Sequence, residues 1–404
     1  MAEKMTSGTA TEDPSVAVSP AWRGGLTIPP LPSKSERTPW GLICASGWTK
    51  EFSSKEETAN FLCKPTEPLP TEPIFFWQPN VEEAVLVASS SEFLEVTKAN
   101  RKIRLEESLA HEKGGLAWLI VPWALFFWLS GFSFSFLKGM GGVVLGLFTF
   151  GALYRTWQVY QELKRVPDLS PEEVAKGVEH DAFEGWLFGQ KPRFTVALVA
   201  ILSVVFLVQE STDGALSKAG FYKNAYHAGE SWRLLTGAYL HGNLVHLLMN
   251  LSALWYLGRR VEALTRFVHL PLIYLLSLYG SGLATLYFLP NQPSVGASGA
   301  ILGLLGFLLV FELLHQKLVP KPARKELAGM LALTLIIGLI GFRFIDNAAH
   351  IGGVVTGAIY AALVFPKSSS PHRPVVLTQD RILAGLALAF LIYGALYTIL
   401  RIVG

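Results

Sequence analysis

The stretch SVGASGAILG, residues 294–303, decides how the fold of the whole chain is interpreted. Long hydrophobic runs precede and follow this stretch, and Ser298 lies in it between two glycines. A polar residue within a membrane segment is costly and is therefore a candidate functional residue. Two interpretations of Ser298 follow: it is a small residue that lets two helices come into contact, or it is a nucleophile.

The composition is that of a membrane protein. Of the 404 residues, 51% are hydrophobic and 16% are charged, whereas soluble domains are about 25% charged. A helix needs ~20 residues to cross a bilayer core, and uncharged stretches of about that length occupy residues 114–137, 234–258, 347–366 and 382–400. Residues 267–311 make two further passes that break at 290–293, and marginal spans occupy 139–154, 194–209 and 327–342. The sequence therefore predicts an integral membrane protein with about nine hydrophobic segments.

Charge and cysteine content argue against two classes of site. The net charge is +3 and the basic residues lie in short loops between apolar runs, so we expect no nucleic-acid partner. Cys44 and Cys63 have neither the spacing of a metal site nor that of a C-x-x-C redox motif. We expect two reduced thiols, no metal site and no cofactor.

Polar and apolar stretches divide the chain into six segments. In order, we predict a disordered tail without a signal peptide, a small cytoplasmic soluble module of α/β type, an apolar helical hairpin, a polar linker with an amphipathic helix, a membrane core, and a cytoplasmic loop followed by an additional C-terminal transmembrane helix. The segments are 1–38, 39–112, 113–155, 156–192, 193–366 and 367–404.

Local patterns predict the elements of the soluble parts. Residues 40–48 have the pattern of a strand and a turn, and residues 82–103 that of a helix. Two further helix starts are indicated by a serine followed three residues later by a glutamate, the spacing of a capping box. These pairs are Ser54 with Glu57 and Ser170 with Glu173.

The distribution of Lys and Arg predicts the orientation, because loops rich in these residues lie on the cytoplasmic side. Such loops flank the hairpin and recur after every second core pass, which predicts seven core passes with the N-terminus in the cytoplasm. The passes that begin at 241–250, at Ser298 and at His350 then share one direction, and their polar starts lie at similar depth on the outer side. Glu312 lies near the inner end of its pass, where we expect its side chain to reach the interface.

The spacing of the polar residues predicts a catalytic site. His246 and Asn250 are four residues apart and share one helix face, whereas His241 lies about 140° from His246, at the rim or facing a loop. A serine needs a base to act as a nucleophile in acyl transfer, and His350 is the base best placed by depth. We expect Asp346 in the outer loop, so the pair is a Ser–His dyad without an acidic third member.

Donors for an oxyanion are also present among these residues. The side chains of His246 and Asn250 and the backbone N–H of Ser298 suit this role, since the first amides of a helix lack intrahelical partners. The alternative is that His246 and Asn250 form ordinary interhelical hydrogen bonds. A metal site at this cluster is not expected, because Ser and Asn are poor zinc ligands.

Glycines at regular spacing predict close helix packing around the serine. Gly296 and Gly299 flank Ser298 and allow a tight turn there. Gly299 with Gly303, and Gly353 with Gly357, each form a small-xxx-small face that permits close approach of two backbones. Ser298 and His350 on neighbouring helices then come within hydrogen-bond reach.

Taken together, these residues resemble the motifs of the rhomboid family of intramembrane serine proteases. The G-x-S-G motif of the family is present as Gly296-Ala297-Ser298-Gly299. Its H-x4-H-x3-N motif matches His241, His246 and Asn250, and its A-H-x-x-G-x-x-x-G motif matches Ala349, His350, Gly353 and Gly357. Trp232-Arg233 matches a W-R pair of the first outer loop, although the alternative is an interfacial anchor next to a loop charge. The similarity covers roughly residues 193–366, which makes this segment a rhomboid protease core.

The resemblance implies a fold and a mechanism. The fold is an all-α rhomboid-like bundle of six core transmembrane helices plus one C-terminal helix, with the N-terminal module and the apolar hairpin in addition. Ser298 is implied as the nucleophile, His350 as the base and acid, and His246, Asn250 and the Ser298 amide as the oxyanion site. Residues 327–342 and the loop before His350 are implied to form a substrate gate and cap. Many bacterial members carry an aromatic residue at the position of Leu302, and that residue stacks on the histidine. The presence of Leu302 therefore implies a less firmly held imidazole at His350.

The implied substrates are single-span or multi-span membrane proteins, cut near the outer face of the lipid bilayer. We expect a multi-pass protein of a bacterial inner membrane with its active site open to the outer side, and the N-terminal module is a candidate to bind a cytoplasmic partner. One alternative is a non-catalytic rhomboid-like chaperone or dislocation factor that binds helices, although this chain keeps both Ser298 and His350. A transporter or channel would show inverted repeats, and none is evident.

Overall fold

The structure is a computed structural model that describes residues 29–33, 38–66, 73–79, 83–118, 120, 123–124, 127, 140–343 and 345–404. The chain divides into two compact units. Of the described residues, the N-terminal unit comprises those within Ala21–Trp186 and Thr334–Ile345, and the membrane unit comprises Leu187–Leu333 and Asp346–Gly404. Most of the predicted tail 1–38 and the middle of the predicted hairpin 113–155 lie outside the described residues.

The N-terminal unit contains a four-stranded antiparallel sheet. The strands are β1 (Trp40–Ile43), β2 (Thr49–Phe52), β3 (Phe75–Trp77) and β4 (Val85–Leu86), in the order β2-β1-β3-β4. Leu42 of β1 lies opposite Lys50 of β2 and Phe76 of β3. Its buried side chain packs with a core of aromatic and aliphatic residues, which holds the sheet against the helices of this unit. The sheet and its helices confirm the predicted α/β type of this module. Strand β1 and the turn after it confirm the strand and turn predicted for residues 40–48.

Among the residues that the structure describes, four α-helices begin in the part of the chain assigned to this unit. They are α1 (Lys55–Cys63), α2 (Leu94–Trp118), α3 (Met140–Arg165) and α4 (Pro171–Gly189), and α4 extends past the boundary of the unit. Both predicted helix starts are confirmed, because the hydroxyl of Ser54 accepts the N–H of Glu57 and the hydroxyl of Ser170 accepts the N–H of Glu173. Glu173 also accepts the N–H of Ser170 at 3.0 Å, which completes a capping box.

The single helix predicted for residues 82–103 is wrong. Residues 85–86 form β4, which pairs with β3, and the helix begins only at Leu94. Pairing with the sheet satisfies this backbone where helical hydrogen bonds were expected. Helix α2 then continues to Trp118, across the boundary predicted at residue 112, and α3 crosses the boundary predicted at residue 155. The predicted boundaries divide the chain by polarity, and a helix that crosses one does not test it, so the boundaries stay predictions.

The membrane unit is built from long apolar helices joined by short ones. The long helices are α5 (Arg193–Glu210), α9 (Leu244–Thr265), α10 (Leu270–Phe288), α11 (Ser298–Leu314), α12 (Lys321–Ile340), α13 (Asn347–Val364) and α14 (Thr378–Val403). Between α5 and α9 lie three short helices, α6 (Ala215–Ala219), α7 (Lys223–His227) and α8 (Arg233–Thr236). Residues 334–340 of α12 are grouped with the N-terminal unit.

Four of the described helices are long and apolar enough to cross a bilayer by length and composition, namely α5, α10, α13 and α14. Helix α11 is apolar but shorter, at 17 residues. Exposed large hydrophobic side chains line these helices, as expected where lipid replaces water. The chain is an integral membrane protein with the predicted all-α membrane architecture.

Helix α11 lies at the centre of the membrane unit. Most of its residues are apolar and buried, which is typical of a helix surrounded by other helices. It packs against α9, α10 and α13, while α14 packs against α5 and α10. This arrangement brings the first turns of α9, α11 and α13 together at one end of the bundle.

Candidate active site

Ser298 and His350 form the centre of the site. The hydroxyl oxygen of Ser298 lies 2.8 Å from Nε2 of His350, within hydrogen-bond distance. Ser298 is the first residue of α11, and His350 is the fourth residue of α13, so each side chain projects from the first turn of its helix. Both residues are half-buried, which leaves them accessible to a reactant. A hydroxyl next to an imidazole nitrogen is the arrangement that activates a nucleophile.

The backbone before Ser298 is held in a conformation that glycine tolerates. Gly296 has φ +124°, and its N–H donates to the carbonyl oxygen of Gly237 at 3.0 Å. A Cβ built at Gly296 would lie 2.8 Å from Cε1 and 3.0 Å from Nε2 of His246. The imidazole of His246 therefore packs directly over the backbone of the segment that carries the serine.

His246 lies in the first turn of α9, as its spacing indicated. Asn243 caps this helix, since its side-chain oxygen accepts the N–H of His246 at 2.9 Å. Asn250 is buried one turn further on, and its amide nitrogen donates to the carbonyl of His246 at 2.9 Å. This hydrogen bond uses one N–H of the Asn250 side-chain amide within α9. The amide has a second N–H that can donate to another acceptor.

His241 is not at the rim of the site. It precedes α9, so the helical angle that placed it there does not apply, and it is fully buried. Its backbone is anchored to α5, because its N–H donates to Gln209 at 2.9 Å and its carbonyl accepts from the amide of Gln209 at 2.6 Å. The ring of His241 contacts the ring of His246 edge to face at a centroid distance of 5.2 Å. It thus lies behind His246, where it limits the movement of that ring.

Asp346, which we expected in the outer loop, is part of the structure that carries His350. Its Oδ1 accepts the N–H of Ala349 at 2.9 Å and so caps α13. Its Oδ2 accepts hydrogen bonds from the hydroxyls of Thr285, at 2.5 Å, and of Ser294. This carboxylate therefore connects α10, the segment before Ser298 and the start of α13.

Lys223 completes this connection from α7. The ammonium group donates to the hydroxyl of Ser294 at 2.5 Å and to the carbonyl of Gln292. Burial lowers the pKa of Lys223 to about 8, against the nearby charge of Asp346, which raises it. Residues 221 and 294 also pair as an isolated β-bridge. We call Lys223, Thr285, Ser294 and Asp346 the support cluster.

Sequence reasoning missed the support cluster. One signal in the sequence could have identified Asp346 as a helix N-cap. An Asp directly before a helical segment commonly accepts the backbone N–H three residues later. Lys223, Thr285 and Ser294 have no comparable signal, because three separate loops and helices bring them together.

Small residues set the distance between the helices. A Cβ at Gly353 would overlap the carbonyl oxygen of Gly299, and a Cβ at Gly357 would overlap that of Gly303. Helices α11 and α13 are thus in backbone contact along both glycine faces. Gly299 also faces the buried side chain of Ser281 on α10.

Trp232 and Arg233 organise the loop before α9. The guanidinium of Arg233 is buried and donates to the carbonyls of Ser217, at 3.1 Å, and Gly220, at 2.9 Å. Trp232 stacks edge to face on Tyr397 of α14. Neither residue contacts Ser298 among the described hydrogen bonds and ring contacts. Leu302 is buried in α11, one turn after Ser298.

The comparison with known protein families agrees with this geometry. The family model of the Rhomboid domain matches residues 228–367, which include Ser298, His350, His246, Asn250 and Asp346 but not Lys223. Residues 228–367 of this chain therefore carry a Rhomboid domain.

Three relatives show the range of the rhomboid family that this chain resembles. It is 37% identical to the rhomboid protease GluP of Bacillus subtilis (strain 168) over 215 residues, which cover 50% of this chain and 41% of GluP. It is 40% identical over 151 residues to the mitochondrial RHOMBOID-like protein 6 of Arabidopsis thaliana, covering 36% of this chain and 48% of the relative.

The third relative is named as inactive. The inactive RHOMBOID-like protein 8 of Arabidopsis thaliana is 34% identical over 133 residues, which cover 31% of this chain and 36% of the relative. In all three cases the aligned part spans less than half the length of the relative. Similarity to the rhomboid family therefore extends to relatives with and without activity.

Proposed function

We propose that this rhomboid is a serine endopeptidase that cleaves transmembrane helices of membrane proteins within the bilayer. The observation that carries the proposal is the 2.8 Å distance between the Ser298 hydroxyl and Nε2 of His350. The similarity to a relative named rhomboid protease supports the same reaction class.

In the proposed reaction, the hydroxyl oxygen of Ser298 attacks the scissile carbonyl carbon while Nε2 of His350 takes the hydroxyl proton. The tetrahedral intermediate collapses, the peptide C–N bond breaks, and His350 gives the proton to the leaving amine. Water then attacks the acyl-enzyme with His350 again as the base, and Ser298 is released with the new carboxylate. No metal or cofactor takes part in this scheme.

The oxyanion of each tetrahedral intermediate needs preorganised donors. We assign this role to the backbone N–H of Ser298, which begins α11, and to the side chains of His246 and Asn250. The contact of the His246 ring with Gly296 supports the assignment, because it fixes the imidazole within two residues of the nucleophile. His241 acts as a positioning residue through His246.

The proposed substrates are single-span or multi-span membrane proteins that enter laterally from the lipid. Residues 327–342 and the loop before His350 form the gate and the cap in this proposal. We further propose a bacterial inner membrane, a cytoplasmic N-terminus and a site open to the outer side, on the distribution of Lys and Arg. The N-terminal module then faces a cytoplasmic partner.

A second candidate function is helix binding without cleavage, as in a chaperone or dislocation factor. The similarity to an inactive relative favours its consideration. The two functions differ in one respect that can be measured: only a protease activates the hydroxyl of Ser298 toward electrophiles.

The test is cleavage and labelling by the full chain in liposomes. The wild type, Ser298→Ala, His350→Ala and the control Ser203→Ala meet a tagged single-span substrate with small, helix-breaking residues near one end of its span. The control is matched, since the Ser203 hydroxyl bonds only within its own helix α5, to the carbonyl of Val199. A fluorophosphonate probe reports the reactivity of the serine independently of the substrate chosen.

We expect the wild type and Ser203→Ala to cleave and to be labelled, and both site variants to lose activity by at least about a thousandfold. Labelling of the wild type without cleavage of several substrates would correct the substrate class alone. Absence of both cleavage and labelling would overturn the proposal in favour of helix binding.

A further inference from the structure

A cavity of about 240 Å³ lies at the end of the membrane unit opposite the dyad. It is lined by residues 189–193 before and at the start of α5, by the last turns of α9 and the residue Phe267, and by Arg373 from the loop between α13 and α14. The part of α9 that separates His246 from Glu262 corresponds to ~24 Å at 1.5 Å per residue. The cavity is therefore distinct from the candidate active site.

The lining of this cavity is strongly basic. Four of the residues that line it are cationic, Lys191, Arg193, Arg259 and Arg373, and one is acidic, Glu262. Both oxygens of Glu262 accept hydrogen bonds from the start of α5, from the N–H of Phe194 at 3.1 Å and from Thr195 at 2.6 Å. This carboxylate therefore serves to cap α5, and the cavity keeps an excess of positive charge.

The guanidinium groups are held in place by the ends of the helices. Arg259 donates to the carbonyl of Phe188 at 2.6 Å and lies over the rings of Phe188 and Trp255. Arg373 donates to the carbonyl of Ala263, the residue next to Glu262, at 3.4 Å. Preorganised guanidinium groups are suited to bind phosphate, because their N–H groups match two phosphate oxygens at once.

Apolar surface continues from the cavity along the outside of the bundle. Phe188, Trp255 and Phe267 are each at least 40% exposed although they are large and hydrophobic. Phe267 reaches this position through a left-handed backbone conformation with φ +60°, directly after Arg266 with φ +52°. Aromatic side chains at the end of membrane helices lie at the level of the lipid headgroups. The charge thus lies next to surface that acyl chains cover.

We propose that this cavity is a binding site for the phosphate headgroup of an anionic phospholipid, with Arg193, Arg259 and Arg373 as the phosphate ligands and the aromatic side chains against the acyl chains. Basic cavities between transmembrane helices recognise such headgroups by charge and by hydrogen bonding. The site adds lipid recognition to the proposed protease function and does not depend on it. A lipid bound there bridges α5, α9 and the loop before α14.

The test is a lipid titration of the full chain in detergent, followed by native mass spectrometry. The probes are dimyristoyl phosphatidylglycerol, which carries a net negative charge, and dimyristoyl phosphatidylcholine, which has the same chains without net charge. The variants are Arg259→Gln, Arg373→Gln, Arg259→Lys and the control Arg381→Gln, which removes an exposed charge on α14 outside the cavity. Binding is measured in the Ser298→Ala background as well, so that failure of the catalytic proposal leaves this result unchanged.

We expect the wild type to bind phosphatidylglycerol about tenfold more tightly than phosphatidylcholine, and each Arg→Gln change in the cavity to weaken phosphatidylglycerol binding about fivefold. Arg259→Lys keeps the charge but loses the paired N–H groups, so its binding should lie between that of the wild type and that of Arg259→Gln. Arg381→Gln stays within about twofold of the wild type. Unchanged phosphatidylcholine binding by the variants shows that they are folded.

Three results would overturn the proposal. Equal binding of the two lipids by the wild type would show that the cavity does not recognise the anionic headgroup. An equal loss with Arg381→Gln would show that general surface charge accounts for the preference. Displacement of phosphatidylglycerol by millimolar inorganic phosphate would identify a free phosphate ion, and not a lipid, as the ligand.

Discussion

At the residue scale, Gly296 connects Ser298, the proposed nucleophile, to its surroundings. Its φ of +124° lies in a region that side chains rarely adopt, and the ring of His246 fills the space where a Cβ would be. Two independent reasons therefore require glycine here. The conformation aims the following residues into α11, so that Ser298 begins the helix next to His350.

Gly296→Ala is expected to lower cleavage activity by about fivefold or more, because strain of about 1–3 kcal/mol is relieved only by moving the backbone or His246. The matched control is Gly385→Ala in α14, where a Cβ would meet no atom within 4 Å. The measurement is kcat/KM for a fluorogenic transmembrane substrate, together with thermal unfolding in detergent. Activity of Gly296→Ala equal to that of the control would contradict a tight contact with His246.

At the element scale, the start of α13 depends on Asp346. The carboxylate caps the helix that carries His350 and also accepts from Thr285 and Ser294, whose hydroxyls lie on α10 and before α11. A single side chain therefore fixes the helix that carries His350 relative to the segment before Ser298. It does so without a described hydrogen bond to the imidazole, which is consistent with a dyad.

We expect Asp346→Ala to lower the free energy of unfolding by about 2–4 kcal/mol, through loss of the cap and of the acceptor for two hydroxyls. Asp346→Asn keeps one acceptor oxygen and is expected to cost less than Asp346→Ala. The exposed Asp213 provides the control Asp213→Ala, which should be close to neutral. Thermal unfolding in detergent measures the order, and equal stability of Asp346→Ala and Asp213→Ala would refute the role of the cap.

The buried Lys223 makes the stability of this region depend on pH. Its pKa is about 8 in the folded chain and 10.5 in the ordinary case, so between these values the unfolded chain binds a proton that the folded chain has lost. The free energy of unfolding therefore rises with pH through this window. Below pH 8 both states carry the proton and the contribution is constant.

This dependence is measured as the difference in thermal stability between the wild type and Lys223→Met from pH 7 upward. The difference is expected to move in favour of the wild type between about pH 8 and about pH 10.5. The control Lys367→Met removes an exposed ammonium and should leave the pH profile of the wild type intact. A difference that is flat across the window would show that Lys223 keeps its ordinary pKa.

At the scale of the whole molecule, a buried ion pair joins three helices. Arg260 of α9 donates to the two carboxylate oxygens of Glu312 on α11 at 2.7 and 3.2 Å, and to the carbonyl of Ala323 on α12 at 3.1 Å. Both side chains are at most 1% exposed. The expectation that Glu312 reaches the interface is therefore wrong. The guanidinium of Arg260 on α9 neutralises the carboxylate and so stabilises it in a buried position.

Glu312→Gln is expected to destabilise the fold by about 3–5 kcal/mol, because it leaves the guanidinium buried without its counter-charge. The double variant Arg260→Met/Glu312→Leu should recover most of this loss. The pair lies ~21 Å along α11 from Ser298, so cleavage at low temperature should remain close to that of the wild type. Thermal unfolding of the single and double variants gives the coupling, and additive losses would show that the pair contributes no interaction.

The sequence determined those features that depend on residues close together along the chain. The membrane class, the family and the two capped helix starts were all evident in it, because hydropathy over about 20 residues and caps over about four are local quantities. Ser298, His350, His246 and Asn250 were found as candidates because polar residues are conspicuous in apolar segments.

The tertiary structure decided what those local patterns leave open. It placed His241 behind His246 and not at the rim, assigned residues 85–86 to a strand, and joined Lys223, Ser294 and Asp346 from three distant parts of the chain. It likewise placed Arg260 opposite Glu312 and gathered the arginines of the basic cavity. Apart from the His241–His246 contact and the pairing of residues 85–86 with β3, these contacts join residues more than fifty positions apart. The packing of the helices that brings them together is not a property of any one segment.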